Sequence, residues 1–479
     1  MTNQAKLLTI IAVVLLAGGI LSSCLSTNNE QSVVINSQFD EKVEEVVSNG
    51  KLPSLQIAVI YQNQLALSKS CGQNASTDSV YMNGSVQKVL DATAVLQLYE
   101  RKLIDLDADI SDYIPFQVKH PAYPDTPITV RMLLAHRSGL DALDHQFSWD
   151  TECRFSQYRP TGKPEIAEMS LEEFLVASFT PEGSNYKPYV WLIRPGDKYH
   201  YSISAYPLLR YMIEKVAGIS YPDYMNENIL EPLGMLNTGF RSDNFVGQNM
   251  MPYTRVGGKN IELPVWDGNG YMMRTTAEDM AKFMLAHMND GRYNHFQFLQ
   301  PQTTQLMRTK TSPGYGLGLI HYPRGWLGHG GSTVGYQSLW QFNPSKQCGF
   351  VIFTNVNGIL GSHDDFQSVW ENVAEIGDMI LSRIDHEDLW ARVQQGGMVC
   401  LLLIALLTAA GFVLAYFMRK KARNMVMVGG ICTIIGSVWL YMAEPVGFGL
   451  LLGGIICLVW GVINLWRARQ AAKSLINEQ

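Results

Sequence analysis

Cysteine is too scarce here to hold a fold together. Of seven in 479 residues, Cys24 lies in an N-terminal apolar segment and Cys400, Cys432 and Cys457 lie in apolar runs near the other end. That leaves Cys71, Cys153 and Cys348, and three thiols cannot all pair with one another. No CxxC and no His/Cys cluster is present either, which speaks against a zinc site and leaves no metal or other cofactor implied. Positive charge is also short: a net charge of -6 provides no basic field, so nucleic acid is excluded as an expected partner. The ordinary aromatic content rules out a disordered acidic chain. Internal repeats and low-complexity tracts are absent. The length exceeds one compact core, so the chain should carry one large domain with accessory segments, or two domains.

The ends carry most of the apolar length. Lys6 supplies a positive start, Leu7 to Ile20 is uncharged and mostly apolar, and small residues follow, so residues 1–24 read as an export signal. The segment ends in Leu21-Ser22-Ser23-Cys24, a lipobox-like pattern that would make Cys24 a lipidation site; an ordinary signal peptide or an uncleaved anchor fits the same residues. Near the other end, Met398–Met418, Met425–Met442 and Gly447–Trp466 lack charged residues. Each is long enough to span or nearly span a hydrocarbon core of roughly 30 Å. Arg419, Lys420, Lys421 and Arg423 follow the first run, and Arg467, Arg469 and Lys473 follow the third. Positive loops stay cytoplasmic, so residues between the signal and Met398 are expected on the outer side. The expected order is signal 1–24, tether 25–40, folded domain 41–385, linker 386–397, three transmembrane helices within 398–466, and a cytoplasmic tail 467–479.

Within the exported part the early and late segments read as strands. Gln56–Tyr61 and Leu65–Ser68 flank Gln62-Asn63, and Tyr336–Phe342 and Phe350–Thr354 flank Asn343-Pro344-Ser345-Lys346. Both have the composition of hairpins. The middle is helical. Val86–Leu103 is apolar on nearly every face, as expected of a buried helix. Pro207–Val216 should be capped by Ser204 and closed by Gly218, and further helices are expected at Leu171–Ala177 and Thr276–Asn289.

Ser-x-x-Lys places a hydroxyl beside a proton acceptor when both lie on one helix face, and a helix N-terminus favours developing negative charge. The pattern occurs as Ser48/Lys51, Ser85/Lys88 and Ser184/Lys187. The first and third lie among Asn, Gly and Pro residues and read as loops. Ser85 alone opens a buried helix, with Gly84 before it to permit close backbone approach. Burial there would favour a neutral Lys88 able to accept a proton.

Around Gly84-Ser85-Val86-Gln87-Lys88 the chain resembles the serine beta-lactamase-like family, which includes class C beta-lactamases, penicillin-binding D,D-peptidases and related esterases. The resemblance continues in order through Leu103-Ile104-Asp105-Leu106-Asp107, Tyr113-Ile114-Pro115 and the stretch Ile128 to Leu140. Pro195-Gly196, Tyr201-Ser202, Glu231-Pro232-Leu233-Gly234-Met235, Tyr315-Gly316-Leu317-Gly318 and His329-Gly330-Gly331 follow. It covers roughly Leu52 to Asn355, and ordered matches are specific where each alone is weak. It implies Ser85 as nucleophile, Lys88 as general base and Tyr201 as the phenol that relays the proton to the leaving group. It also implies His329 in a catalytic strand motif, Gly330 and Gly331 as substrate-binding, and the backbone N–H groups of Ser85 and Ser332 as the oxyanion hole. His136 reads as structural.

Two positions depart from the pattern. Ile203 stands where the family usually has an asparagine that touches the lysine and the substrate, and Gln87 stands where threonine is common. The expected fold is α+β: an antiparallel sheet made from the two ends of the domain, helices on both sides and a helical subdomain between. The expected activity is acyl-enzyme hydrolysis of an amide or ester in a small-molecule or peptide substrate, such as a D-amino-acid peptide, a cell-wall stem peptide or a small ester. A catalytically weak ligand-binding or sensing module is the competing reading, and a membrane-assembly protein the third.

Overall fold

A computed structural model of the chain describes residues 37–385 except 50, 141–168, 189, 190, 192, 241–246 and 266–269. The signal, Cys24, Cys153 and the three apolar runs within 398–466 lie outside the described residues. Among those described, no helix is long and apolar enough to cross a membrane. The chain divides into two compact units at Ile384/Asp385.

Six strands form the main sheet: β1 (Ser54–Tyr61), β2 (Gln64–Gly72), β3 (Ile320–His321), β4 (Leu327–Thr333), β5 (Tyr336–Asn343) and β6 (Cys348–Thr354). Their order is β2-β1-β6-β5-β4-β3, and every adjacent pair is antiparallel. Both expected hairpins are present. Gln62 and Asn63 form the two-residue turn of the first with φ of 50° and 63°, the left-handed pair that matches strand twist in a hairpin of this length. The two hairpins join through β1 and β6, with Leu55 opposite Thr354 and Ile60 opposite Gly349. Chain segments almost 300 residues apart thus become neighbours.

Both faces of the sheet are covered, which explains why β1 and β6 are apolar without alternation. Leu55, Ile57, Val59, Leu339, Phe350 and Ile352 face one cluster, which contains Phe39, Val43 and Val46 of α1 (Ser37–Ser48). The same cluster takes Val369, Val373, Ile376 and Ile380 of α6, a helix at residues 363–385. Ala58, Ile60, Trp340, Phe342, Val351 and Phe353 face the larger cluster. Its longest helices are α2 (Gln87–Glu100), α3 (Leu171–Phe179), α4 (Ala205–Ala217) and α5 (Ala277–Met288).

Local details correct two expectations. Helix α1 begins inside the segment read as a tether, because Phe39, 1% exposed, is a core residue. At α4, Ser204 occupies the N-cap position but its side chain makes no capping bond, whereas Gly218 closes the helix with φ of 74° as expected. A side-chain cap does form at α5, where Thr276 accepts from the Asp279 amide.

Because Phe39 anchors α1, Phe39→Ala should destabilise the domain by about 3–5 kcal/mol. Urea unfolding of the full chain would read this as a lowered midpoint; an unchanged midpoint would return residues 37–40 to the tether.

Candidate active site

Ser85 is positioned by a turn that precedes α2. Residues Gly84–Val86 form a single 3-10 turn and α2 starts at Gln87. The tighter turn has three residues per repeat, so side chains three apart stack directly. Lys88 Nζ accordingly donates to Ser85 Oγ at 3.0 Å. Tyr201 Oη donates to the same oxygen at 3.0 Å. Lys88 Nζ lies against aromatic faces, 5.3 Å from the Tyr201 ring centroid and 5.2 Å from that of Tyr206. Neither rejected Ser-x-x-Lys pair shares a helix: Ser48 is the last residue of α1 with Lys51 beyond it, and Ser184 and Lys187 lie after α3.

Glycine at 84 is a steric requirement. Its φ is 54°, and a Cβ there would lie 2.8 Å from Ser332 N. A Cβ on Gly331 would lie 2.2 Å from Asn83 O and 3.2 Å from Ser85 N. Strand β4 is therefore pressed backbone to backbone on the turn that carries Ser85, which brings the main chain at Ser85 and Ser332 together. Gly330 has a packing reason of its own, since a Cβ would come within 2.7 Å of the Trp370 ring on α6.

Helix α2 is held from behind by a polar network that sequence reading missed. Asp91, with no side-chain exposure, pairs with Arg210 of α4 at 3.0 Å, and Tyr221 Oη donates to the same carboxylate. Gln87, the departure from threonine, is fully buried. Its amide donates to Tyr221 Oη at 3.1 Å and Tyr271 O at 2.7 Å, and its carbonyl accepts from Met273 N at 3.0 Å. A threonine could not span these partners. The sequence signal was present in the charged and amide side chains of an otherwise apolar helix, which must be paired when buried.

His329 does not hydrogen-bond Ser85. Its Nδ1 lies 2.6 Å from Gly330 O and its Nε2 lies 3.1 Å from Tyr315 Oη. His136 meets the same hydroxyl at 3.2 Å through Nε2, while its Nδ1 accepts from Ser202 N at 3.1 Å. Burial, then Lys88, pushes His329 down to about 3, and the same causes hold His136 well below the usual histidine range. Ile203 is half-buried in the segment between Tyr201 and α4. Among the described residues no group of three His, Cys, Asp or Glu side chains could hold a metal ion.

A helix-flanked antiparallel sheet with a Ser-x-x-Lys turn packed under one of its outer strands is the architecture of serine beta-lactamases and transpeptidases. Residues 39–375 match the family model described as Beta-lactamase, and the chain belongs to that family. It is 23% identical over 469 residues to Protein flp of Staphylococcus aureus (strain N315), a match covering 91% of this chain and 85% of that one. Among solved structures, the octameric penicillin-binding protein homologue from Pyrococcus abyssi superposes with a TM-score of 0.57 at 23% identity, over 66% of this chain and 73% of that one. A D-stereospecific amidohydrolase from Streptomyces sp. gives 0.55 at 23% identity, over 70% and 98% respectively. Both are likenesses of fold.

The buried histidines make stability pH-dependent. His136, His287 and His329 are depressed mainly by burial, so the unfolded chain takes up protons that the folded chain refuses once pH falls below about 6.5. Stability should therefore decline from pH 6.5 downward, by up to about 1.4 kcal/mol per pH unit for each histidine, and for His329 until about pH 3. Urea midpoints measured at steps from pH 7 to pH 4 would show it, and a flat profile would contradict it.

Proposed function

We propose that this chain is a serine hydrolase that works through an acyl-enzyme on an amide or ester. The observation that carries the reading is the placement of Lys88 Nζ and Tyr201 Oη, each 3.0 Å from Ser85 Oγ. Ser85 Oγ attacks the substrate carbonyl carbon and its proton passes to Lys88 Nζ. Negative charge on the carbonyl oxygen is met by the backbone N–H groups of Ser85 and Ser332, the kind of donor whose loss costs a factor of about a hundred or more. Collapse of the tetrahedral intermediate breaks the C–N or C–O bond, and the leaving group takes its proton through Tyr201. Water then attacks the ester on Ser85, releasing the acid and restoring the hydroxyl.

For the substrate class we favour D-amino-acid peptides, cell-wall stem peptides or small esters over beta-lactam drugs. Ile203 supplies no amide at the position where the resembling family usually offers one. The same residue favours, as a second reading, a binding or sensing domain of low turnover. The reading extends to location: residues 25–397 lie on the outer side of a cell membrane, anchored through the apolar runs at 398–466, with Cys24 as a lipidation candidate. Its supports are the flanking charges at 419–423 and 467–473 and the extent of the match to Protein flp. Residues 1–385 are about four fifths of the chain, so a match covering 91% continues into the C-terminal segment.

Intact-mass measurement of the full chain after treatment with a fluorophosphonate, and separately with a penicillin, should show one adduct that is lost in Ser85→Ala. A folded protein that takes neither label would move the binding reading ahead. Ile203→Asn should raise beta-lactam hydrolysis, and no gain in a correctly folded variant would remove Ile203 as the reason for the substrate preference.

A further inference from the structure

We propose that Tyr315 and His136 are positioning residues for this reaction, joined with His329 in a one-way hydrogen-bonded strut that sets Tyr201 and the oxyanion strand β4 relative to each other. The inference rests on the serine-hydrolase reading and deepens it. The strut runs from the Ser202 amide to His136 Nδ1 at 3.1 Å, from His136 Nε2 to Tyr315 Oη at 3.2 Å, from Tyr315 Oη to His329 Nε2 at 3.1 Å, and from His329 Nδ1 to Gly330 O at 2.6 Å.

Its ends determine its direction. A backbone N–H can only donate, so His136 Nδ1 is the acceptor and Nε2 carries the hydrogen. A backbone carbonyl can only accept, so His329 carries its hydrogen on Nδ1 and presents a bare Nε2. Tyr315 must then accept from His136 and donate to His329. Tyr206 is a rival acceptor beside Tyr315, but an imidazole nitrogen is the more basic partner, and Tyr206 directs its own hydrogen to Leu134 O at 3.1 Å. All three strut side chains are buried, with His136 at 0%, Tyr315 at 1% and His329 at 2% exposure. No water competes for bonds of this kind, and none can reverse without leaving a buried polar atom unpaired.

What the strut holds is catalytic. His136 O accepts from His200 N at 2.7 Å, and His136 Nδ1 accepts from Ser202 N, so both neighbours of Tyr201 are tied to one histidine. The His136 ring also packs on the Tyr201 ring at 4.3 Å between centroids. At the other end His329 lies in β4, three residues before Ser332. His136 has a backbone φ of 53°, a left-handed conformation that persists where surrounding bonds over-determine it. A side chain fastened at both ring nitrogens does that.

The test uses the full chain, with the rate of fluorophosphonate labelling of Ser85 read as a function of reagent concentration. Tyr315→Phe keeps the ring and removes the hydroxyl. It should lower the limiting labelling rate by about tenfold or more, as displaced catalytic groups do, while leaving the half-saturating concentration close to the parent's; the melting temperature should fall, because His136 Nε2 and His329 Nε2 lose a buried partner. His136→Asn retains an acceptor for the Ser202 amide but cannot reach Tyr315, and it should also label slowly. Combining the two should give no further loss, because both break one chain. Parent-like labelling in a folded Tyr315→Phe, or losses that multiply, would overturn the strut. If Tyr315→Phe does not fold, His136→Asn decides alone: slow labelling supports the proposal and a parent-like rate overturns it. A parent that takes no label would instead sink the hydrolase reading. The strut would then be judged by imidazole nitrogen shifts, which should report hydrogen on Nε2 of His136 and on Nδ1 of His329, and any other tautomer pair would overturn it.

Discussion

The rest of the site depends on one close approach, that of strand β4 to the turn that carries Ser85. Two backbones meet there with no room for a Cβ at Gly84 or Gly331. A hydrogen-bond donor delivered by main chain needs no side-chain ordering at the moment of reaction, so its position is as rigid as the strands and turns that hold it. That rigidity must come from elsewhere. The sheet supplies it on one side, through β5 and β6 with α6 packed behind, and α2 supplies it on the other.

Helix α2 cannot be located by apolar packing alone, because a cylinder greasy on every face has no preferred rotation. Its polar residues break that degeneracy. Asp91 meets Arg210 and Tyr221, and Gln87 meets Tyr221 and the backbone at Tyr271 and Met273. Buried groups of this kind tolerate one geometry, since any rotation leaves a charge or an amide unpaired at a cost of several kcal/mol. Ser85 and Lys88 inherit the rotation so chosen.

A second set of polar groups runs from Ser202 through His136, Tyr315 and His329 to Gly330. The phenol and the amine that flank Ser85 therefore belong to different supports. Lys88 is part of the α2 framework, whereas Tyr201 sits in an irregular segment whose neighbours are tied to His136. Two independent supports converging on one oxygen are more exacting than a single one, and the polar residues spent on them stand where a purely apolar core would have been easier to pack.

Much of this was legible in the residues. Two apolar segments split by Gln62-Asn63, and two more around Asn343 to Lys346, are hairpins by composition and period. Ser85 and Lys88 stood out because one Ser-x-x-Lys of three opens an apolar helix after a glycine. These are local signals, and local sequence determines them. What it could not determine is which distant segments meet. The pairing of β1 with β6, the reach of Gln87 to Tyr271 and Met273, and the convergence of His136, Tyr315 and His329 join residues far apart in the chain. Neither spacing nor period encodes such contacts. His136 read as structural and Tyr315 as part of a motif; only tertiary packing, which excludes water and obliges each buried polar atom to find a partner, gave them their place beside Tyr201.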